Sequence, residues 1–371
     1  MFDLKSIFGM FIKPEEKSVL GVDIGSSSIK LVQLKKQKGQ AILETYGEIA
    51  LGPYGGQEVG HSTSLTLDKI VSALTDLVRE SNATTKFSAL SLPISSSLIS
   101  FITVPNLDDK KLAEIIPLEA RKYIPVAPSE VSLDYWVMPK ESDGLSEFQT
   151  EGEKNNAQGT KEVLLVVVHN DASNKNVEIA KSSNLELGFS EIEIFASMRS
   201  ILPVSMSPQM IMDFGAGSTK IYIIERGVLR ASHTINRGGQ DISFVISKSL
   251  GIPFDAAEAL KKETGLLPSE KGTSEAGMVT MDFIFSEARR VIFNYQRKSN
   301  KNISKIYLSG GGSNLKGFVE AAEAAFQMPV EISNPFNKVQ YPAFLEDILR
   351  SVGPEFAVAI GLALRKLEEN N

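Results

Sequence analysis

The chain has 371 residues, 42% of them hydrophobic and 23% charged, enough for two to three domains and a large core held without cross-links. Lys and Arg number 39 against 45 Asp and Glu, a net charge of −6, so there is no general attraction for nucleic acid or anionic lipid. With no cysteine, disulfides, thiolate zinc, iron–sulfur clusters and a cysteine nucleophile are excluded. His61, His169 and His233 are scattered without metal-ligand spacing, and the lack of a G-x-S-x-G elbow argues against a serine-hydrolase triad.

Residues 2–13 (FDLKSIFGMFIK) put Leu4, Ile7, Phe8, Phe11 and Ile12 on one helical face before Pro14. Two readings stay open: a short helix or frayed tail on the body, or an amphipathic segment that touches a membrane or a partner. Lys5 and Lys13 against Asp3 make any attraction to lipid weak. No apolar run reaches the roughly 18 to 20 residues of a membrane span, and neither a basic n-region nor a small-residue cleavage site opens the chain. A cytoplasmic protein is expected.

Residues 18–34 (SVLGVDIGSSSIKLVQL) read as strand, tight turn, strand, and 41–51 as a third strand. An amphipathic helix is expected over 67–80 and a short strand over 88–92. Residues 94–187 read as a compact α+β unit: strand 94–105, helix 108–123 containing Pro117, strand 132–138, strand 162–169, helix 171–183. Its stretch 141–160 is polar and acidic, the composition of a mobile hairpin loop. A strand follows over 188–194. From Met210 the strand-turn-strand pattern returns, with a further strand 228–235, a helix 241–249, a small helical piece with a loop over 254–277 and a long helix 281–297. A strand 305–308, a helix 315–326 and a last helix 354–366 complete the reading.

The two strand-turn-strand units align: GVDIGSSSIKLVQL and IMDFGAGSTKIYII each run apolar, Asp, apolar, Gly, two small residues, Ser/Thr, then a β arm. Each opens one half of the chain, as an internal duplication would. Gly25, Gly215 and Gly217 free the backbone of the turns for close approach to a phosphate. Ser26, Ser27, Ser28, Ser218 and Thr219 add hydroxyl donors, and consecutive turn amides make an anion-binding nest. Two such turns face to face would hold a di- or triphosphate. Asp23 and Asp213, just before the turns, suit a hydrated Mg²⁺ that takes one or two carboxylates and phosphate oxygens. Gly310, Gly311, Gly312 and Ser313 follow a strand, where glycine would let the backbone pass beneath a flat ring or ribose. Gly238 and Gly239 precede a helix N-terminus, a further backbone site for an anion. Glu287, Arg290 and Asn294 share a helix face. That face either reaches a ribose and adenine or is simply solvated. A Walker A motif is missing, so the phosphate site has to come from the opposed hairpins.

The ordered set GVDIGSSSIK, MDFGAGSTK, GG-x-D and SGGGSNLKG resembles the superfamily of actin, sugar kinases and heat-shock chaperone ATPases. The resemblance implies an α/β, actin-like ATPase fold of duplicated ribonuclease-H-like halves. Gly25–Ser28 would be its first phosphate loop, Gly215–Thr219 the second and residues 310–312 the adenosine loop. Lys30 would join the nucleotide-binding set, and Asp23 and Asp213 would be the metal-linked carboxylates. Within the superfamily the opening GVDIGSSSIKLVQL is very similar to the PilM family of type IV pilus assembly proteins, itself similar to the cell-division protein FtsA. Both carry an α+β insertion where residues 94–187 stand. The resulting organisation is an N-terminal segment 1–17, a first subdomain 18–93, an FtsA-type partner-binding insertion 94–187, a return 188–207, and a second half 208–371 with a small helical subdomain near 250–280.

The family resemblance implies an ATP- and Mg²⁺-binding cytoplasmic protein, peripheral at the inner face of the inner membrane. It would bind the cytoplasmic N-terminal tail of the membrane protein PilN as an extended peptide, in a groove between the first subdomain and the insertion. Other platform proteins and self-association are the further partners it implies. The polar end KLEENN lacks an FtsA-type membrane-targeting helix. Glu193 is the candidate to activate a water, in a region that supplies no clear alternative, so at most a weak ATPase is expected. Two alternatives on the same fold remain: an FtsA-like filament-forming protein, and a small-molecule kinase, which needs a catalytic Asp in the cleft. A 2-hydroxyacyl-dehydratase activator would need cluster cysteines that the chain does not have.

Overall fold

The computed structural model describes residues 18–138, 159–268 and 273–369. The chain forms two compact units, one running up to Ser91 and again from Ile179 onward, the other Leu92–Glu178. The N-terminal segment 2–13 and most of the expected 141–160 loop lie outside the described residues.

The first unit begins with β1 (Ser18–Ile24), β2 (Ser28–Gln37) and β3 (Gln40–Ala50), an antiparallel meander. β1 and β2 are buried along most of their length, through Val19, Leu20 and Val22 on β1 and Ile29, Leu31, Val32 and Leu34 on β2, because both faces of the sheet are covered. α1 (Leu67–Glu80) turns Ile70, Ala73, Leu74 and Leu77 to one of those faces, against Leu20, Val22, Ile29 and Leu31. β4 (Phe87–Leu92) then lies parallel to β1, with Leu20 opposite Ser88 and Val22 opposite Leu90.

The second unit holds β5 (Ser97–Pro105), α2 (Asp109–Ala120), β6 (Val131–Val137) and β7 (Thr160–His169), in an antiparallel sheet of order β5-β7-β6. Alternation sends Ile102, Val104, Val163 and Leu165 to one face, where they bury Leu112, Ile116 and Ala120 of α2. Asp108 caps that helix, its carboxylate accepting from the Lys111 N–H at 3.0 Å. α3 (Asn170–Ser182) leads the chain back to the first unit.

There, β8 (Glu186–Ile192) completes the first sheet in the order β3-β2-β1-β4-β8, and α4 (Glu193–Ile201) follows it without a break. β9 (Gln209–Phe214), β10 (Thr219–Glu225) and β11 (Val228–Ile235) repeat the meander. After them come α5 (Gly239–Leu250), α6 (Phe254–Thr264) and α7 (Thr273–Ser299). β12 (Lys305–Ser309), α8 (Phe318–Phe326) and β13 (Val330–Ile332) give a second sheet of order β11-β10-β9-β12-β13. The two sheets share one topology: a hairpin whose first strand pairs in parallel with the next strand, β1 with β4 and β9 with β12. Met210, Met212, Ile221 and Ile223 pack on Ile284, Phe285 and Ala288 of α7 to build the second core.

The chain ends with α9 (Glu346–Val352) and α10 (Ala357–Glu369). α10 belongs to the first sheet, with Ala359, Ile360 and Ala363 against Val19, Val32 and Leu34, so the expected 208–371 half gives its last helix to the other half. Backbone contact explains the small residues here. A Cβ on Gly21 would lie 2.0 Å from the Ala359 carbonyl oxygen, and one on Gly361 would lie 2.0 Å from that of Ala196 in α4. Glu191 of β8 locks the same junction, bridging both Arg199 terminal nitrogens at 2.8 and 2.9 Å and Arg365 at 3.1 Å.

Among the described residues, no helix is long and apolar enough to cross a membrane. One element departs from expectation in a way that matters for the site. The strand expected to 194 stops at Ile192, and Glu193 is the first residue of α4. The sequence EIEIFAS has no glycine or proline to mark that change, so a period-2 reading runs on through it.

Candidate functional site

A cavity of about 670 Å³ lies within the first unit, between the ends of the two repeated hairpins. The two turns are the same object. In each, the first glycine N–H donates to a serine carbonyl three residues on, Gly25 to Ser28 and Gly215 to Ser218, both at 3.0 Å. In each, the aspartate before the turn faces a lysine across the hairpin, Asp23 opposite Lys30 and Asp213 opposite Lys220.

Of the residues singled out in the sequence, Asp23, Gly25, Ser26, Ser27, Ser28, Lys30, Glu193, Asp213, Gly215, Gly239, Gly310, Gly311 and Gly312 line this cavity. Gly217, Ser218, Thr219, Gly238 and Ser313 are not among its lining residues. The Thr219 hydroxyl donates to the Arg237 carbonyl at 2.8 Å, and that of Ser313 donates to the Gly310 carbonyl at 2.7 Å. A Cβ on Gly238 would come within 2.5 Å of the carbonyl oxygens of Gly215 and Ala216. Gly310 has φ +82, and a Cβ there would meet an Asp213 carboxylate oxygen at 2.5 Å. Only glycine lets these backbones come together.

Glu287, Arg290 and Asn294 are not brought to the cavity. α7 buries the stripe Ile284, Ala288 and Ile292, which leaves these three on another face. There Arg290 pairs with Glu287 at 2.5 Å, and Glu287 lies 3.6 Å from His233. Arg290 and Asn294 are exposed on that face, and Glu287 is half-buried.

The structure adds groups that the sequence reading missed. Lys220 reaches both Glu193 (2.5 Å) and Asp213 (3.8 Å). Its place in the second hairpin matches that of Lys30 in the first, a signal already present in the aligned repeats. Glu258 and Lys261 project from α6 as a buried pair 2.6 Å apart; Lys261 also donates to the Gly239 carbonyl, and Ser243 to Glu258. Glu48 of β3 takes Lys30 at 3.1 Å and lines the same cavity as Glu355, which precedes α10. No local motif marks these residues, because the fold alone brings them together.

Carboxylates dominate the electrostatics. Burial, reinforced by the charge of Glu193, pushes Asp23 up to about 6. Burial also raises Asp213, against the pull of Lys220. Burial alone would lower Lys220, but Glu193 and Asp213 more than offset it, and the ammonium is held on. Glu355 is pushed up to about 7 by burial and then by Glu48. Burial lowers Lys261 despite its Glu258 partner. Two aspartates that resist ionisation in a water-accessible cavity gain most from a cation.

Among the described residues no cluster of three or more His, Asp or Glu side chains forms a metal cage. Two carboxylates with room beside them instead fit a Mg²⁺ ion that keeps most of its waters. The facing turn amides and close-packed glycines fit a phosphate chain.

Residues 21–367 match the family described as type IV pilus assembly protein PilM. The cell division protein FtsA of Neisseria meningitidis serogroup B is 31% identical over 185 residues, 43% of this chain and 43% of that protein. The chain spans about half the length of the first curated relatives it matches. Among solved structures, the PilM-PilN type IV pilus biogenesis complex is similar with a TM-score of 0.78 at 24% identity, covering 95% of this chain and 99% of that one. MreB5 of Spiroplasma citri bound to ADP is similar with a TM-score of 0.53 at 13% identity, covering 96% and 100%.

Proposed function

The chain belongs to the family of the type IV pilus assembly protein PilM and has the actin-like ATPase fold, and on that premise we propose that it binds Mg·ATP in the cavity between its two hairpins and couples nucleotide state to pilus assembly. One observation carries the nucleotide reading. Two turns with the same closing hydrogen bond and the same Asp–Lys pairing present their backbones to one cavity. Their amides and serine hydroxyls would hold the phosphates. Asp23 and Asp213 would hold Mg²⁺, which when bound neutralises phosphate charge. The Glu258 carboxylate, steadied by Ser243 and Lys261, would accept from ribose hydroxyls. Glu193 is the carboxylate in the cavity that would orient a water, but it is already paired with Lys220 at 2.5 Å. Turnover is therefore expected to be slow or absent.

The protein would act at the inner face of the inner membrane by binding the N-terminal cytoplasmic tail of PilN, the partner in the similar complex. The test is thermal unfolding with and without Mg·ATP. Ligand at a hundred times its Kd adds about 2.7 kcal/mol, worth about 4 °C in a body of this size. The wild type should shift and Asp213→Ala should not; a wild type unmoved by millimolar Mg·ATP would refute nucleotide binding. Titration of a labelled PilN tail peptide by fluorescence anisotropy checks the partner, and no change in anisotropy at high protein concentration would refute it. The likeness to FtsA favours a second reading, a self-assembling division protein, which nucleotide-dependent pelleting would reveal.

A further inference from the structure

The segment 51–66, between β3 and α1, crosses from the first half of the cavity to the second. Its two ends are tied to the first phosphate turn. The Leu51 N–H donates to the Ser27 carbonyl and the Thr63 N–H to the Ser26 carbonyl, both at 2.8 Å. Near its base, the Tyr54 hydroxyl donates to Asp76 of α1 at 2.7 Å. Its tip reaches the other half. The Ser62 N–H donates to Gln240 Oε1 on α5 at 2.9 Å, and the His61 ring stacks on Phe254 of α6, with 3.7 Å between centroids. Phe244 of α5 closes this ring cluster, 5.5 Å from His61 and 5.0 Å from Phe254. Val59 and Gly60 form part of the cavity wall.

Two close approaches set how tightly this tip is seated. A Cβ on Gly60, whose φ is +98, would fall 2.9 Å from the Glu258 carboxyl carbon, and one on Gly217 would fall 2.6 Å from Ser62 Oγ. One continuous segment therefore touches the first turn through Ser26 and Ser27, the second turn through Gly217, and the buried Glu258 on α6.

We propose that residues 51–66 are a strap that must lift its tip from α5 and α6 for nucleotide to enter or leave, so that strap opening sets the exchange rate. The inference rests on the nucleotide reading above. Hinged at the Ser26 and Ser27 carbonyls, the strap reports to α5 and α6 whether the first turn is occupied. The hydrogen bond at Ser62 and the rings at His61 are what hold it down. Lids of this kind commonly limit release rather than chemistry.

The experiment uses the full chain loaded with a fluorescent methylanthraniloyl-ATP and Mg²⁺, chased with excess unlabelled ATP in a stopped-flow instrument. His61→Ala removes the stacked ring from the strap side and Phe254→Ala removes its partner. Each should speed release by about three- to tenfold, the factor carried by one aromatic pair. Association should speed up as well, leaving the affinity less changed than either rate. Hydrogen exchange on the unaltered protein is the independent measurement: Mg·ATP should slow the amides of residues 60–63 along with those of the two turns. Unchanged release in both variants, or turn amides that slow while residues 60–63 do not, would overturn the strap and leave nucleotide binding intact. A wild type that takes up no labelled nucleotide would overturn both.

Discussion

Asp23 is the most exacting place to test the electrostatics of the cleft. Its carboxyl is carried from 3.8 up to about 6 by burial and by Glu193, so the folded protein holds this proton where the unfolded chain has released it. A raised carboxyl costs stability once pH exceeds the unfolded value. The cost is nil below about pH 4, grows between 4 and 6, and is complete above that. A rise of this size corresponds to about 3 kcal/mol, and water in the open cavity reduces it to about 2 kcal/mol. Asp23→Asn removes the cost. Without nucleotide the variant should melt about 3–4 °C above wild type at pH 7.5 relative to their difference at pH 4. With Mg·ATP the order reverses, because the wild type gains the ligand's stabilisation and the variant does not. Thermal unfolding across pH 4 to 8, with and without Mg·ATP, reads both effects. Parallel curves for the two proteins without ligand would refute the reasoning.

Glu355, pushed up to about 7 beside Glu48, makes a second contribution of the same sign, with stability lost as pH rises from about 5 to 7.5; Glu355→Gln should flatten that limb, and an unchanged pH slope would contradict it. Gly21→Ala places a methyl group on the Ala359 carbonyl and should destabilise by about 2–3 kcal/mol in urea unfolding, where no loss would mean that α10 is free to shift. Glu191→Ala leaves Arg199 and Arg365 without their shared carboxylate and should cost about 3 kcal/mol; an effect below about 1 kcal/mol would reduce the network to a surface pair.

The duplicated hairpins were legible in the sequence because their chemistry is local: an aspartate, a glycine turn and a β arm in fixed order, which the backbone then realises twice with the same hydrogen bond. The strands Ser18–Ile24 and Gln209–Phe214 follow from the same apolar runs. Three kinds of feature were hidden. Glu193 begins a helix that no glycine or proline announces. Glu48, Glu258, Lys261 and Glu355 come from elements far apart in the chain, and single residues on a helix or strand do not declare which cavity they face. Helical spacing linked Glu287, Arg290 and Asn294 correctly to one another, but spacing does not say which way the face turns, and the apolar stripe of α7 decided it. The departure of α10 to the first sheet is likewise a matter of tertiary contact, written only in small residues such as Gly21 and Gly361.

If two hairpins make one nucleotide site, each must contribute to affinity. Calorimetric titration of the full chain with Mg·ATP tests this most directly, on the wild type and on Asp23→Ala and Asp213→Ala separately. The wild type should bind one nucleotide per chain, and each variant should lose at least about tenfold in affinity, about 1.4 kcal/mol. Unaltered affinity in either variant would show that the corresponding hairpin takes no part in binding.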